Sequence, residues 1–136
     1  MSYHVEKLRT RLLPEFDRIV NRIHESANFV SAKIEDHKFG SGEFAGHSFI
    51  ISLTLGNCLT EADNVALEVA LIDLTSVPKI NADVAWGHPS GSYEAEFSDA
   101  YLEISNEVLE DLYKDLPRLY EALFEALERR KPPDQW

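Results

Sequence analysis

Cysteine is almost missing from this chain of 136 residues, with Cys58 standing alone. One thiol cannot close an intramolecular disulfide, so no disulfide framework holds the fold. A single free cysteine suits a reducing compartment. With no histidine near it in sequence, it reads as a small apolar side chain. Long apolar runs are missing too, and nothing approaches the roughly 18 residues a transmembrane helix needs. The first eleven residues mix His, Glu, Lys and Arg with scattered apolar residues and lack the apolar stretch of a secretory signal. The expected location is therefore the cytoplasm.

Basic residues are also scarce, with 13 Lys and Arg against 24 Asp and Glu, a net charge of −11. Residues 1–27 carry +1, 28–55 carry −1, 56–104 carry −8 and 105–136 carry −3. Lys79 is the sole basic residue of the third segment. Such a surface repels nucleic-acid phosphates and anionic lipids. It steers a basic partner, or serves solubility alone.

Recognisable chemistry is absent as well. His4, His24, His37, His47 and His88 form no HxH, HxxxH or HExxH pattern, so metal binding has no spacing support. His37 and His47 are placed to face each other across a hairpin, a weak metal arrangement. Gly40-Ser41-Gly42 lacks the Lys and the strand-to-helix context of a phosphate loop. No GxSxG elbow occurs, and no basic cluster with interleaved aromatics suggests nucleic-acid binding. Asp83 with Glu94 or Glu96 resembles a glycosidase carboxylate pair, but on an open sheet face it has no cleft. No cofactor is expected, and the chain does not read as an enzyme.

What is present is the composition of a folded domain, 44% hydrophobic and 27% charged. No repeat or linker divides it, so residues 1–136 read as a single α+β domain. Val5, Leu8, Leu12, Phe16, Ile19, Val20 and Ile23 recur at helical spacing and predict a helix over residues 3–26. Pro14 is expected to kink or split it. From residue 28 the period moves towards two. Strands are predicted up to residue 37 and over 47–55, 65–74, 79–87 and 92–98, joined by turns at 39–43, 75–78 and 88–91 and a loop at 56–64. Short connections require antiparallel neighbours. Leu109, Leu112, Leu116, Leu119, Leu123 and Leu127 predict a helix over 106–130, with Ser105 as its N-cap and Pro117 as another kink or split. The expected architecture is an antiparallel β-meander of about five strands between two helices.

The two last turns suggest a register. It pairs Trp86 with Tyr93, Val84 with Ala95, Asp83 with Glu96, Val69 with Val84 and Leu67 with Trp86. One face then holds Leu67, Val69, Leu71, Ala82, Val84, Trp86, Tyr93, Ala95 and Phe97. The other holds Ala66, Glu68, Ala70, Ile72, Asn81, Asp83, Ala85, Glu94 and Glu96, a patch with an alanine floor, four carboxylates and no basic residue. Like charges directly opposed across strands cost about 0.2–1 kcal/mol, which points to cations supplied from elsewhere. The plainer reading is a solvated face, or one covered by a helix whose arginines pair the acids. His88, at the tip of the Trp86-Gly87-His88-Pro89-Ser90-Gly91 corner, is a further candidate contact. The terminal Lys131-Pro132-Pro133-Asp134-Gln135-Trp136 reads as a short tail.

In size, in acidity and in the run Ala82-Asp83-Val84-Ala85-Trp86-Gly87-His88-Pro89-Ser90-Gly91-Ser92-Tyr93-Glu94-Ala95-Glu96-Phe97, the chain resembles the small acidic immunity proteins of bacterial toxin systems. That resemblance implies a noncatalytic inhibitor covering a basic partner such as a toxin, with Glu68, Asp83, Glu94, Glu96 and His88 as contacts. A dimeric secretion-type chaperone is the alternative and a small enzyme the third reading. Monomer and homodimer are both open.

Overall fold

A computed structural model of the protein describes residues 2–26, 30–41, 45–55, 64–73, 77–86 and 92–130. Helix α1 (Ser2–Ser26) precedes strands β1 (Val30–Phe39), β2 (Gly46–Leu55), β3 (Asn64–Asp73), β4 (Pro78–Trp86), β5 (Ser92–Glu96) and β6 (Leu102–Glu103). Helix α2 (Asn106–Arg130) follows. The fold is α+β, a meander in the order β1-β2-β3-β4-β5, with β6 also paired to β4. Every ladder is antiparallel.

Both helices cover the same sheet face, α1 over β1 and β2 and α2 over β3, β4 and β5. The apolar stripes explain this. Leu8, Leu12 and Phe16 from α1, all six expected leucines of α2, and the alternate residues Phe49, Ile51, Leu53, Leu67, Val69, Leu71, Ala82 and Val84 share one buried core. The helices meet through Arg11 over the Tyr113 ring, Phe16 edge-on to Tyr120, and Arg22 over the Phe124 ring. These contacts advance together along both helices, so α1 and α2 run parallel, as the chain direction requires when it reverses from strand to strand between β1 and β5 and β6 keeps the direction of β5.

The helices are not split at their prolines. Pro14 and Pro117 sit on exposed sides. There, water can serve the carbonyl four residues earlier that loses its amide donor. Ser105 caps α2, its Oγ accepting the Val108 N–H at 3.1 Å.

Two registers depart from expectation. In the β3–β4 ladder Leu67 faces Val84, Val69 faces Ala82 and Val65 faces Trp86, two residues from the expected alignment. Pro78 opens β4 opposite Asp73, a strand-start position where a missing amide is tolerated. Because side chains alternate with period two, a shift of two leaves each residue on its expected face. In the β4–β5 ladder Asp83 faces Glu96 and Val84 faces Ala95 as expected. A bulge then intervenes, and Trp86 faces Ser92 while Ala85 faces Tyr93, so Tyr93 leaves its expected position opposite Trp86 and takes the parity of Ala85.

β6 has no counterpart in the sequence reading. It resumes pairing with β4 where β5 stops, so the two form one interrupted edge. Asn81 spans the gap: its Oδ1 accepts the Ser98 N–H at 3.1 Å and its Nδ2 donates to the Ser98 carbonyl at 3.0 Å. After β1, Gly40 takes a φ of 70°, the left-handed region that glycine enters without steric cost. At the start of β2, a Cβ on Gly46 would lie 2.6 Å from the Leu71 carbonyl oxygen and would strike the Phe39 ring.

Candidate functional site

The face turned away from the helices takes the other residue of each alternating pair. Across it one row reads Glu35, Ile50, Glu68, Asp83 and Glu96, each directly opposite the next. Three adjacent strands, about 4.8 Å apart, thus place Glu68, Asp83 and Glu96 side by side. Ala66, Ala70, Ala85 and Asn81 flank them in the neighbouring rows. The buried Ser48 hydroxyl donates to Glu68 Oε2 at 2.6 Å and holds that carboxylate. Burial and the flanking charges of Glu68 and Glu96 push the Asp83 carboxyl up to about 7. Near neutral pH Asp83 is therefore divided between its ionised and protonated forms, and an approaching positive group favours the ionised one.

Of the five expected contacts, the structure brings together three. The β4–β5 bulge leaves Glu94 out of the ladder. Its carboxylate is instead met by Arg129 of α2 and its side chain is 12% exposed. His88 lies outside the described residues, as do Cys58 and the 131–136 tail. The face is also not free of basic residues. Lys33 and Lys79 share its alternation at the margins, Lys33 beside Glu35 at 3.2 Å and Lys79 between Ile72 and Glu103. Among the described residues, no helix covers the acidic row. The arginines of α1 go elsewhere, Arg9 to Asp36 and Arg11 to Glu15.

On the opposite, helix-covered side lies a polar cluster that sequence reasoning missed. Arg9 of α1 donates from Nε to Asp36 Oδ2 at 2.7 Å and from Nη2 to Asp36 Oδ1 at 3.3 Å. His47 Nε2 donates to the same Oδ1. Arg9 holds the Asp36 carboxyl below the ordinary range, with His47 adding to the effect. The imidazole is buried, 4.9 Å from the Phe49 ring, and among the described residues its Nδ1 has no hydrogen-bond partner. The cluster ties α1 to the β1–β2 hairpin. It could have been noticed as polar residues in core phase, Asp36 following Ala32 and Ile34, and His47 preceding Phe49 and Ile51.

His37 and His47 do not face each other. His37 pairs with Ser48 and His47 with Lys38, which sets the two rings on opposite faces. Among the described residues, no group of three His, Cys, Asp or Glu is arranged to hold a metal ion, and no helix is long and apolar enough to cross a membrane. No family model, curated protein or solved structure matches the chain.

Proposed function

We propose that this chain is a noncatalytic binding protein that neutralises a basic protein partner, in the manner of a toxin-immunity protein, through the sheet face bearing Glu68, Asp83 and Glu96. One observation carries the reading: three carboxylates stand in direct cross-strand register on the face opposite both helices. Each like-charged neighbour costs about 0.2–1 kcal/mol in the free protein. A lysine or arginine placed over the row turns that repulsion into attraction. The surrounding excess of acid raises the encounter rate with such a partner and makes it fall with salt. The contact set is Glu68, Asp83 and Glu96, since Glu94 is already engaged by Arg129.

The test compares the protein with a Glu68→Gln, Asp83→Asn, Glu96→Gln variant as bait in extract of its native host, followed by titration calorimetry of each against the captured protein. The expected result is a basic captured protein, with weaker and less salt-dependent binding by the variant while its circular dichroism is unchanged. Equal affinity of the two baits at every salt concentration overturns the reading.

A further inference from the structure

The two edges of the sheet are built differently. The β5 edge is short, carries the bulge and breaks off before β6 resumes. Short strands and bulges of this kind block pairing with another chain. The β1 edge has ten residues in unbroken register with β2. Among the described residues, no strand pairs with its outer side. Charged side chains can protect such an edge, but those of β1 alternate in a self-complementary order.

An antiparallel pairing of β1 with another β1 keeps the two sheets' faces aligned only when a residue of one copy faces a residue of the same parity in the other. Centred on Ile34, that pairing sets Lys33 opposite Glu35 of the other copy, twice by symmetry. It also sets Ile34 against Ile34, Asp36 against Ala32 and His37 against Ser31. No like charges meet. Centring on Lys33, Glu35 or Asp36 instead opposes identical charges at the axis. Centring on His37 opposes Asp36 and Lys38, but the Asp36 oxygens already serve Arg9 and His47. The Lys33 and Glu35 side chains are 68% and 37% exposed, within reach of an incoming strand.

We propose that β1 is a self-association edge: two copies pair antiparallel through Val30–Lys38 about a two-fold axis at Ile34, joining their sheets into one. This inference does not depend on Glu68, Asp83 and Glu96, which lie on β3, β4 and β5.

Sedimentation velocity over a wide concentration range tests it. Wild type is expected to show a concentration-dependent dimer. Lys33→Glu and Glu35→Lys each replace two attractive cross-strand pairs with two repulsive ones, and each should weaken the dimer about tenfold or more. An equimolar mixture of the two variants should restore association as a heterodimer, because glutamates at 33 and 35 then face lysines at 35 and 33. Circular dichroism of both variants, taken at a concentration where wild type is monomeric, should match wild type, which separates lost association from lost folding. A wild type that stays monomeric at all concentrations overturns the proposal. So do single variants that dimerise as tightly as wild type, or a mixture that fails to associate.

Discussion

Asp83 stands directly opposite Glu68 in the β3–β4 ladder, with the Ser48 hydroxyl holding the Glu68 carboxylate in place. Burial and this neighbour, with Glu96 on the other flank, raise Asp83 from the ordinary carboxylate value of 3.8 to about 7. The folded state therefore keeps a proton that the unfolded chain has released. The stability this gives is fully present below pH 3.8 and is lost as pH rises to about 7. Asp83→Asn should flatten the fall in melting temperature between these limits and raise the melting temperature at pH 8. A variant that melts with the wild-type pH profile would show that Asp83 is not the group concerned.

Asp36 works with the opposite sign. Arg9 first, and then His47, hold it below the ordinary value. Its contribution is present above pH 3.8 and is lost as pH falls through the lowered value. Asp36→Ala strands the buried His47 N–H and leaves Arg9 with Glu6 alone, which should cost about 1–3 kcal/mol. Chemical denaturation at pH 7 measures that loss, and repetition at acid pH should find it diminished.

Gly46→Ala tests the close approach of β1, β2 and β3. The added methyl meets the Leu71 carbonyl and the Phe39 ring, and overpacking of this kind costs about 1–3 kcal/mol. Hydrogen exchange should report the loss first at the amides of β1 and the beginning of β2.

Phe16→Ala removes a fully buried ring from the seam between the helices, where it meets Tyr120 edge-on. A loss of about 3–5 kcal/mol is expected, read from the denaturant midpoint with an unchanged slope.

Much of this fold is legible in the residues because its elements obey one period each. The α2 leucines at steps of three and four are all buried, and Ser105 caps where its hydroxyl predicts. The faces of β3 and β4 survived a register error because the error was even. The bulge at Glu94 was not legible: it displaces one residue without changing composition, and it took one of the expected acids out of the row. β6, two residues long, is too short to show alternation. The Arg9–Asp36–His47 cluster depends on side chains 27 and 11 residues apart, a separation that no local spacing encodes. Glu68, Asp83 and Glu96 were visible because strand parity alone puts them together.

The parallel seam of α1 and α2 also bears on how the chain reaches this state. Each ladder of the meander joins strands that follow one another in sequence, so each hairpin can zip without waiting for distant chain. The seam is different: Lys7 reaches Asn106 across 99 residues. Closing so long a loop carries an entropy penalty that only a preformed sheet shortens. The docking of α2 beside α1 is accordingly expected to come late in folding. Substitutions at the seam, such as Phe16→Ala, should speed unfolding far more than they slow refolding.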